Sequence, residues 1–387
     1  MHTDFIELST SLLNEHLLQT EASFVMHKQA WFTAFAHHFQ SICAAIVKAQ
    51  SESTLPAISH LEYTMLYANL VNRQYVAEVW VYGDERYLDE DQRFIGEYDI
   101  SFLFVHFDEL WDKLLALRKR YVGKVSSKEV TSFMIEALPK FYSYLISIAR
   151  FAIKDCVEEK PFTDIIKNDV FKVHIGDYMA KAESVFTQKK NKDADVLANW
   201  FSEKLRKDYK FEDCSDLDFS SQDFSNTVFR YTQFRRAILN DVDFRSCSLI
   251  GASFCQAQLE NCCFDNSAIH EADFSYANMK NASFANARGR AGLLNENEWK
   301  QVGFLPVSFR RADLSGADLT GANLKGADFS GSVLNGAVFT SAMLAEADFS
   351  KANLTSVDFS GANLTKADFT NTIVDRAIFN GSIGWKD

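Results

Sequence analysis

Residues 312–331 read ADLSGADLTGANLKGADFSG. Every fifth residue is large and apolar (Leu314, Leu319, Leu324, Phe329), and an alanine stands two places before each one. A period of five matches neither the 3.6 of a helix nor the 2 of a strand. The chain must therefore turn after each unit and return one large and one small side chain to a common interior.

The pattern extends far on both sides of this stretch. A first run goes from Cys214 through Phe219, Phe224 and Phe229 to Phe284, and a second from Leu314 to Phe379. In the second run alanine fills 11 of the 14 small positions. This resembles the pentapeptide-repeat family, whose pattern is A-(D/N)-L-x-x, over roughly 211–381. The resemblance implies a right-handed four-sided β-helix with four units to each coil.

The residues test four-sidedness independently. Leu and Phe alternate from Leu324 to Phe369, so an even number of units per coil keeps Leu324, Leu344 and Leu364 in one column. Phe329, Phe349 and Phe369 then form another. Three units per coil would scramble both. Coils stacked at strand spacing, about 4.8 Å, give a rod of roughly 35 Å. Gly316, Gly321, Gly326, Gly331, Gly336 and Gly361 fall two residues after the interior position, where a corner calls for φ > 0.

Residues 285–308 interrupt the pattern while keeping its frame, with Gly289 too small and Trp299 too large for interior places. A loop or short helix extruded from the rod is expected. Loops on such scaffolds carry recognition, so Arg288, Arg290 and Trp299 are candidate contact residues.

Residues 1–192 show no such period and read as a mostly helical domain. Phe5, Leu8, Leu12, Leu13 and Leu17 share one face of a first helix, and Phe24 to Ile46 line a second over about 22–50. Segment 61–82 reads as a β-hairpin, and 170–178 as a strand added to it. Helices follow at about 98–122 and 127–156, the latter opened by a Ser126/Glu129 capping box and expected to kink at Pro139. Segment 193–210 is an amphipathic connecting helix placed to cap the rod, which then occupies 211–387.

The 387 residues carry a net charge of −12, which disfavours nucleic acid or an anionic membrane as an electrostatic partner. Seven cysteines with no CxxC and no framework spacing read as reduced buried thiols. Met1 to Glu7 lacks a basic start and an apolar run, so no secretory signal is expected. Ala30 to Val47 is uncharged but carries His37 and His38, and reads as a buried helix rather than a membrane span. His37 and His38, with Glu15 and His16 upstream, form no HExxH or other ligand spacing. No catalytic constellation, cofactor motif or metal site is expected, and the compartment is expected to be the cytoplasm of a bacterial-type cell.

The candidate interaction surface lies on the rod. Asp328, Asp348 and Asp368 stack in one outward column, either as an anionic ladder or as caps on the corner backbone. Val333, Val338 and Met343 point outward from a single coil. At the C-terminal end Val374, Ile378 and Phe379 have no following coil. Either Trp385 folds over them, or two rods meet there in a symmetric homodimer, which is the expectation.

A non-enzymatic scaffold that binds another protein follows as the first functional reading. The family resemblance implies a second, a DNA-mimicking regulator of type II topoisomerase (gyrase), as in quinolone-resistance members. Residues 211–387 hold 22 acidic and 15 basic residues. Arg230, Arg235, Arg236 and Arg245 put positive charge on the first coils, where a DNA mimic wants none. A third reading places an enzyme's active site in the N-terminal half.

Overall fold

The computed structural model describes residues 3–86, 92–177, 182–202, 209–295 and 297–385. The chain separates into two compact units, one of residues 1–190 with Asn295–Trp299, the other of Asn191–Leu294 with the rest of the C-terminal part.

The first unit opens with helix α1, Thr3–Ser51. The two helices expected here are one. The linking segment 18–21 holds neither proline nor glycine, so nothing breaks the i→i−4 ladder. Phe24, Phe35, Phe39, Ile42 and Ile46 are buried along it, as are Phe5, Leu13 and Leu17, whereas Leu8, expected on the face of the latter three, is exposed.

The expected hairpin is present as β1 (Ile58–Met65) and β2 (Val76–Tyr82), joined through the short helix α2 (Tyr67–Val71). Strand β3 (Arg93–Asp99), helix α3 (Val105–Arg118) and helix α4 (Ser127–Cys156) follow. The capping box forms: Ser126 N donates to Glu129 Oε2 at 2.7 Å, and Glu129 N donates to Ser126 Oγ at 3.2 Å. Helix α4 continues through Pro139.

Strands β4 (Lys167–Asp177) and β5 (Ala182–Lys189) complete a five-stranded sheet of order β3-β2-β1-β4-β5. All neighbours are antiparallel except β1 and β4, which run parallel with His60 opposite Lys172 and Tyr63 opposite Ile175. The chain between β2 and β4, with α3 and α4 in it, supplies the long crossover that parallel pairing needs. Leu61, Tyr63, Met65, Val79, Val81, Val173 and Ile175 form the buried face of the sheet. Helix α1 lies on it, with Phe35 5.1 Å from the Tyr63 ring and Phe39 5.9 Å from Phe162.

The second unit begins with helix α5, Ala194–Ser202, whose Phe201 is buried edge-on against Phe224 and Phe229, both at 5.4 Å. Phe201 thus closes the upper end of the rod. Residues 203–208, the remainder of the expected helix, lie outside the described residues.

From Asp213 onward, parallel bridges join residues 20 apart, such as Asp213 to Gln233 and Asp328 to Asp348. Four pentapeptides make each coil. Each corner sits two residues after the interior position in left-handed backbone, at Gly316 (φ 70°) and Gly336 (φ 68°), and equally at Asn281 (φ 58°) and Lys351 (φ 60°). Inside, phenylalanines stack in a column: 234 on 254 at 5.0 Å, 254 on 274 at 4.8 Å, 309 on 329 at 4.9 Å and 329 on 349 at 4.9 Å.

Across the interruption, bridged residues lie 35 apart, as in Asp273 to Ser308 and Ser283 to Asp318. The extra length is three whole pentapeptides, which is why the frame survives. Neither an irregular loop nor a helix is inserted. Segment 285–289 stays in the coil, and the rest includes a two-stranded hairpin, β6 (Gly292–Asn295) and β7 (Glu298–Gly303). Gly289 keeps its interior place because Val307 fills the space a side chain there would occupy.

Candidate functional site

The outward position just before each interior residue is also the bridging residue between coils, so the walls are flat and their side chains stand in columns. Asp328, Asp348 and Asp368 stand in one such column, bridged in series. Their carboxylates turn back onto the corners. Asp328 Oδ1 accepts from Ser330 N at 2.8 Å and Ser330 Oγ at 2.6 Å, Asp348 Oδ1 from Ser350 N at 2.8 Å, and Asp368 Oδ1 from Thr370 N at 2.8 Å. The Thr370 hydroxyl and backbone N–H hold the Asp368 carboxyl below its usual range. Each carboxylate therefore caps its corner through Oδ1.

Val333 and Val338 are half-buried and Met343 is 46% exposed. They occupy three walls of one coil. Two coils further, bridges lead down the same three columns through Asn353, Asp358 and Asn363 to Ile373, Ile378 and Ile383, which are 55%, 43% and 61% exposed.

Val374 is exposed at the last coil, while Trp385 stacks on Phe379 at 3.8 Å and 4° and meets Phe369 edge-on at 4.9 Å. Trp385 thus folds over the end of the phenylalanine columns, the alternative set against the dimer.

The three insertion residues do not converge. Arg288 is exposed on the rod wall, bridging Ala268 and Asn323. Arg290 donates through Nη2 to the Leu293 carbonyl. Trp299 groups with the first unit, where its Nε1 donates to Tyr144 Oη at 2.8 Å and its backbone N donates to Asn14 Oδ1 at 2.8 Å. Tyr144 Oη in turn donates to the buried Glu21 at 2.8 Å, and burial pushes that phenol well above its usual range. The indole is engaged internally. Of the arginines on the first coils, Arg236 lies 2.6 Å from Asp216 and Arg245 donates through Nε to Asp243 at 2.9 Å.

The matches to known families cover this same part of the chain. The description "Pentapeptide repeats" fits residues 307–336, 332–371 and 342–381, and "Pentapeptide repeat region" fits 237–306. Residues 237–289 and 307–381 are pentapeptide repeats. The family implies a right-handed β-helix, and the coil geometry begins earlier than the matches, at Asp213.

No curated protein matches the sequence. Among solved structures, similarity is found to HetL, a pentapeptide repeat protein involved in heterocyst differentiation regulation from the cyanobacterium Nostoc sp. Strain PCC 7120. It shows 18% identity and a TM-score of 0.34 over 51% of this chain and 100% of that one. QnrB1, a plasmid-mediated fluoroquinolone resistance protein, shows 17% identity and a TM-score of 0.28 over 45% and 90%. A pentapeptide repeat protein of the Arabidopsis thaliana thylakoid lumen shows 22% identity and a TM-score of 0.15 over 44% and 83%.

One polar cluster escaped the sequence reading. It lies on the sheet face opposite α1. His60 and His174, on the parallel strands β1 and β4, sit 3.1 Å apart, Nδ1 to Nε2. Beside them the fully buried Glu62 accepts from Arg86 Nη2 at 3.0 Å. Burial first, and then Arg86, depress both imidazoles, His60 to about 4 and His174 to about 3. The advance signal was alternation of polar and apolar residues along 60–65, which gives no partner. Of the histidines singled out in advance, His37 is exposed and His38 packs on Tyr98 at 4.7 Å. Among the described residues, no three His, Cys, Asp or Glu side chains gather to hold a metal, and no helix is long and apolar enough to cross a membrane.

Proposed function

We propose that the chain is a non-enzymatic interaction protein whose β-helical walls dock another protein near the C-terminal end of the rod. The supporting observation is the pair of outward aliphatic rings, Val333/Val338/Met343 and Ile373/Ile378/Ile383, set on the same three walls and separated by a polar coil. Single exposed aliphatics are ordinary; two matched rings on flat walls suit a contact surface. A second copy of the chain is placed on the last coil, where Val374 and Ile378 remain exposed beside Trp385. Free cysteines throughout support a reducing compartment such as the cytoplasm.

Two measurements test this. Full-length protein carrying Val338→Glu and Met343→Glu should melt as the wild type does yet lose, by at least tenfold, a partner that the wild type retains from the native host. Equal retention by both would sink the reading. The topoisomerase reading is separated by a gyrase supercoiling assay, in which no inhibition is expected, because each aspartate of the column is bent onto its own corner rather than spaced as a phosphate backbone.

A further inference from the structure

The first unit contains a cavity of about 210 Å³ between the turn before β4 and the end of β5, lined by Thr163, Ile165, Lys167, Asn168, Phe171, Gln188 and Lys190. Two ammonium groups belong to its wall. Lys167 is buried; its Nζ donates to the Phe162 carbonyl at 2.8 Å and sits 4.0 Å above the Phe162 ring. Lys190, exposed at the rim, donates through Nζ to the Lys167 carbonyl. Each ammonium has three donors and uses one within the described residues, and no carboxylate forms an ion pair with either. Asp164, a carboxylate whose charge acts on Lys167, is itself paired with Lys160 at 3.4 Å.

A buried ammonium with a second one at the rim is costly for Lys167 unless an anion joins them. The ring faces of Phe162 and Phe171 offset part of that cost for Lys167. A third group points the same way. Gln188 Oε1 is buried without a partner among the described residues, so it can accept the O–H of hydrogenphosphate, or its amide can turn over and donate to an anion oxygen.

We propose that this cavity binds a small oxyanion, a phosphate or carboxylate group, between Lys167 and Lys190. Such an anion completes the unfilled donors with charge-assisted hydrogen bonds. The proposal is independent of the scaffold reading. It also sets a pH dependence. Burial first, with Lys190 beside it, brings Lys167 down to about 8 against the opposing pull of Cys43 and Asp164. An anion binds the protonated amine, so affinity falls as pH rises through about 8.

The test is calorimetric titration of the full chain at pH 7 with inorganic phosphate and, separately, with benzoate at matched ionic strength. One saturable site is expected for at least one probe, with phosphate alone assigning a phosphate group and benzoate alone a carboxylate. Lys190→Gln, at the exposed rim, and Lys167→Met should each weaken binding at least tenfold with unchanged circular dichroism, and wild-type affinity should drop severalfold between pH 7 and pH 9. The absence of saturable binding by either probe overturns the proposal, as does unchanged affinity in Lys190→Gln.

Discussion

A β-carbon placed on Gly289 would stand 2.7 Å from Val307 Cγ1 and 3.0 Å from Ile269 Cγ1. The interior of this coil is therefore filled from the far side of the insertion. Gly289→Ala should destabilise the chain by about 1–3 kcal/mol through overpacking, and adding Val307→Ala should recover part of the loss. Urea unfolding of both variants checks this, and strictly additive losses would contradict the shared space. At the wall, Asp348→Ala removes the acceptor of the Ser350 backbone N–H and should cost about 0.5–1.5 kcal/mol.

The histidine pair predicts a pH response at the same scale. Unfolded histidines titrate near 6.5, whereas His60 and His174 are held at about 4 and about 3. Between those values the unfolded chain binds more protons, so stability is full above about 6.5 and drains as pH falls toward 4. Lys172 and Arg86 press the same way on His60, and Asp84 opposes them. His174→Gln should flatten the stability profile between pH 6.5 and 4. A slope unchanged by that substitution would show that other groups set it.

At the scale of the element, the columns of the rod are its energetic unit. Phe349 is fully buried and stacked on Phe329 at 4.9 Å and Phe369 at 5.3 Å, so Phe349→Ala should cost about 3–5 kcal/mol. Phe379 packs against Phe359, Phe369 and Trp385 and remains partly exposed, and the same truncation there should cost less. Equal costs measured by denaturant unfolding would argue against column-wise packing. These columns were legible in advance because Leu324/Leu344/Leu364 and Phe329/Phe349/Phe369 repeat at the length of one coil. The insertion was not. Its frame is intact, and whether three extra pentapeptides stay in the wall or leave as a hairpin depends on Val307 reaching the place beside Gly289.

Helix α1 shows the converse. Its 49-residue length was hidden because two apolar faces with a polar step between them read as two helices. The face shifts as α1 passes from covering Tyr144 to covering Tyr63 and Tyr98, a change of neighbour rather than a break in the backbone.

Considered whole, a stacked rod owes its stability to neighbouring coils and is weakest where a neighbour is missing. The upper end has Phe201; the lower has Trp385 on Phe379. Backbone N–H groups inside the rod donate to the next coil, as Leu324 N does to Met343 O at 2.9 Å. Among the described residues no such acceptor serves the N–H groups of Phe369, Val374 and Phe379. Amide hydrogen exchange should therefore be slow at Leu324 and fast at those three, and Trp385→Ala should spread the fast region into the coil above. Uniform protection to the last coil in a protein that sediments as a monomer would contradict this; protection confined to a dimer would place the second copy at that end.

By itself the sequence determined the winding of the rod, its four sides, its inward residues and its left-handed corners. The physical reason is that a five-residue repeat fixes inward and outward positions through local turns, and each coil meets only its neighbours. Tertiary structure alone decided the rest. Strands β1 and β4 pair in parallel from positions over a hundred residues apart, and only that pairing brings His60 to His174. In the same way only the return of β5 beside β4 sets Lys190 near Lys167. A buried polar pair or a charged cavity has no period to betray it, because its members are chosen by what the folded chain places opposite them.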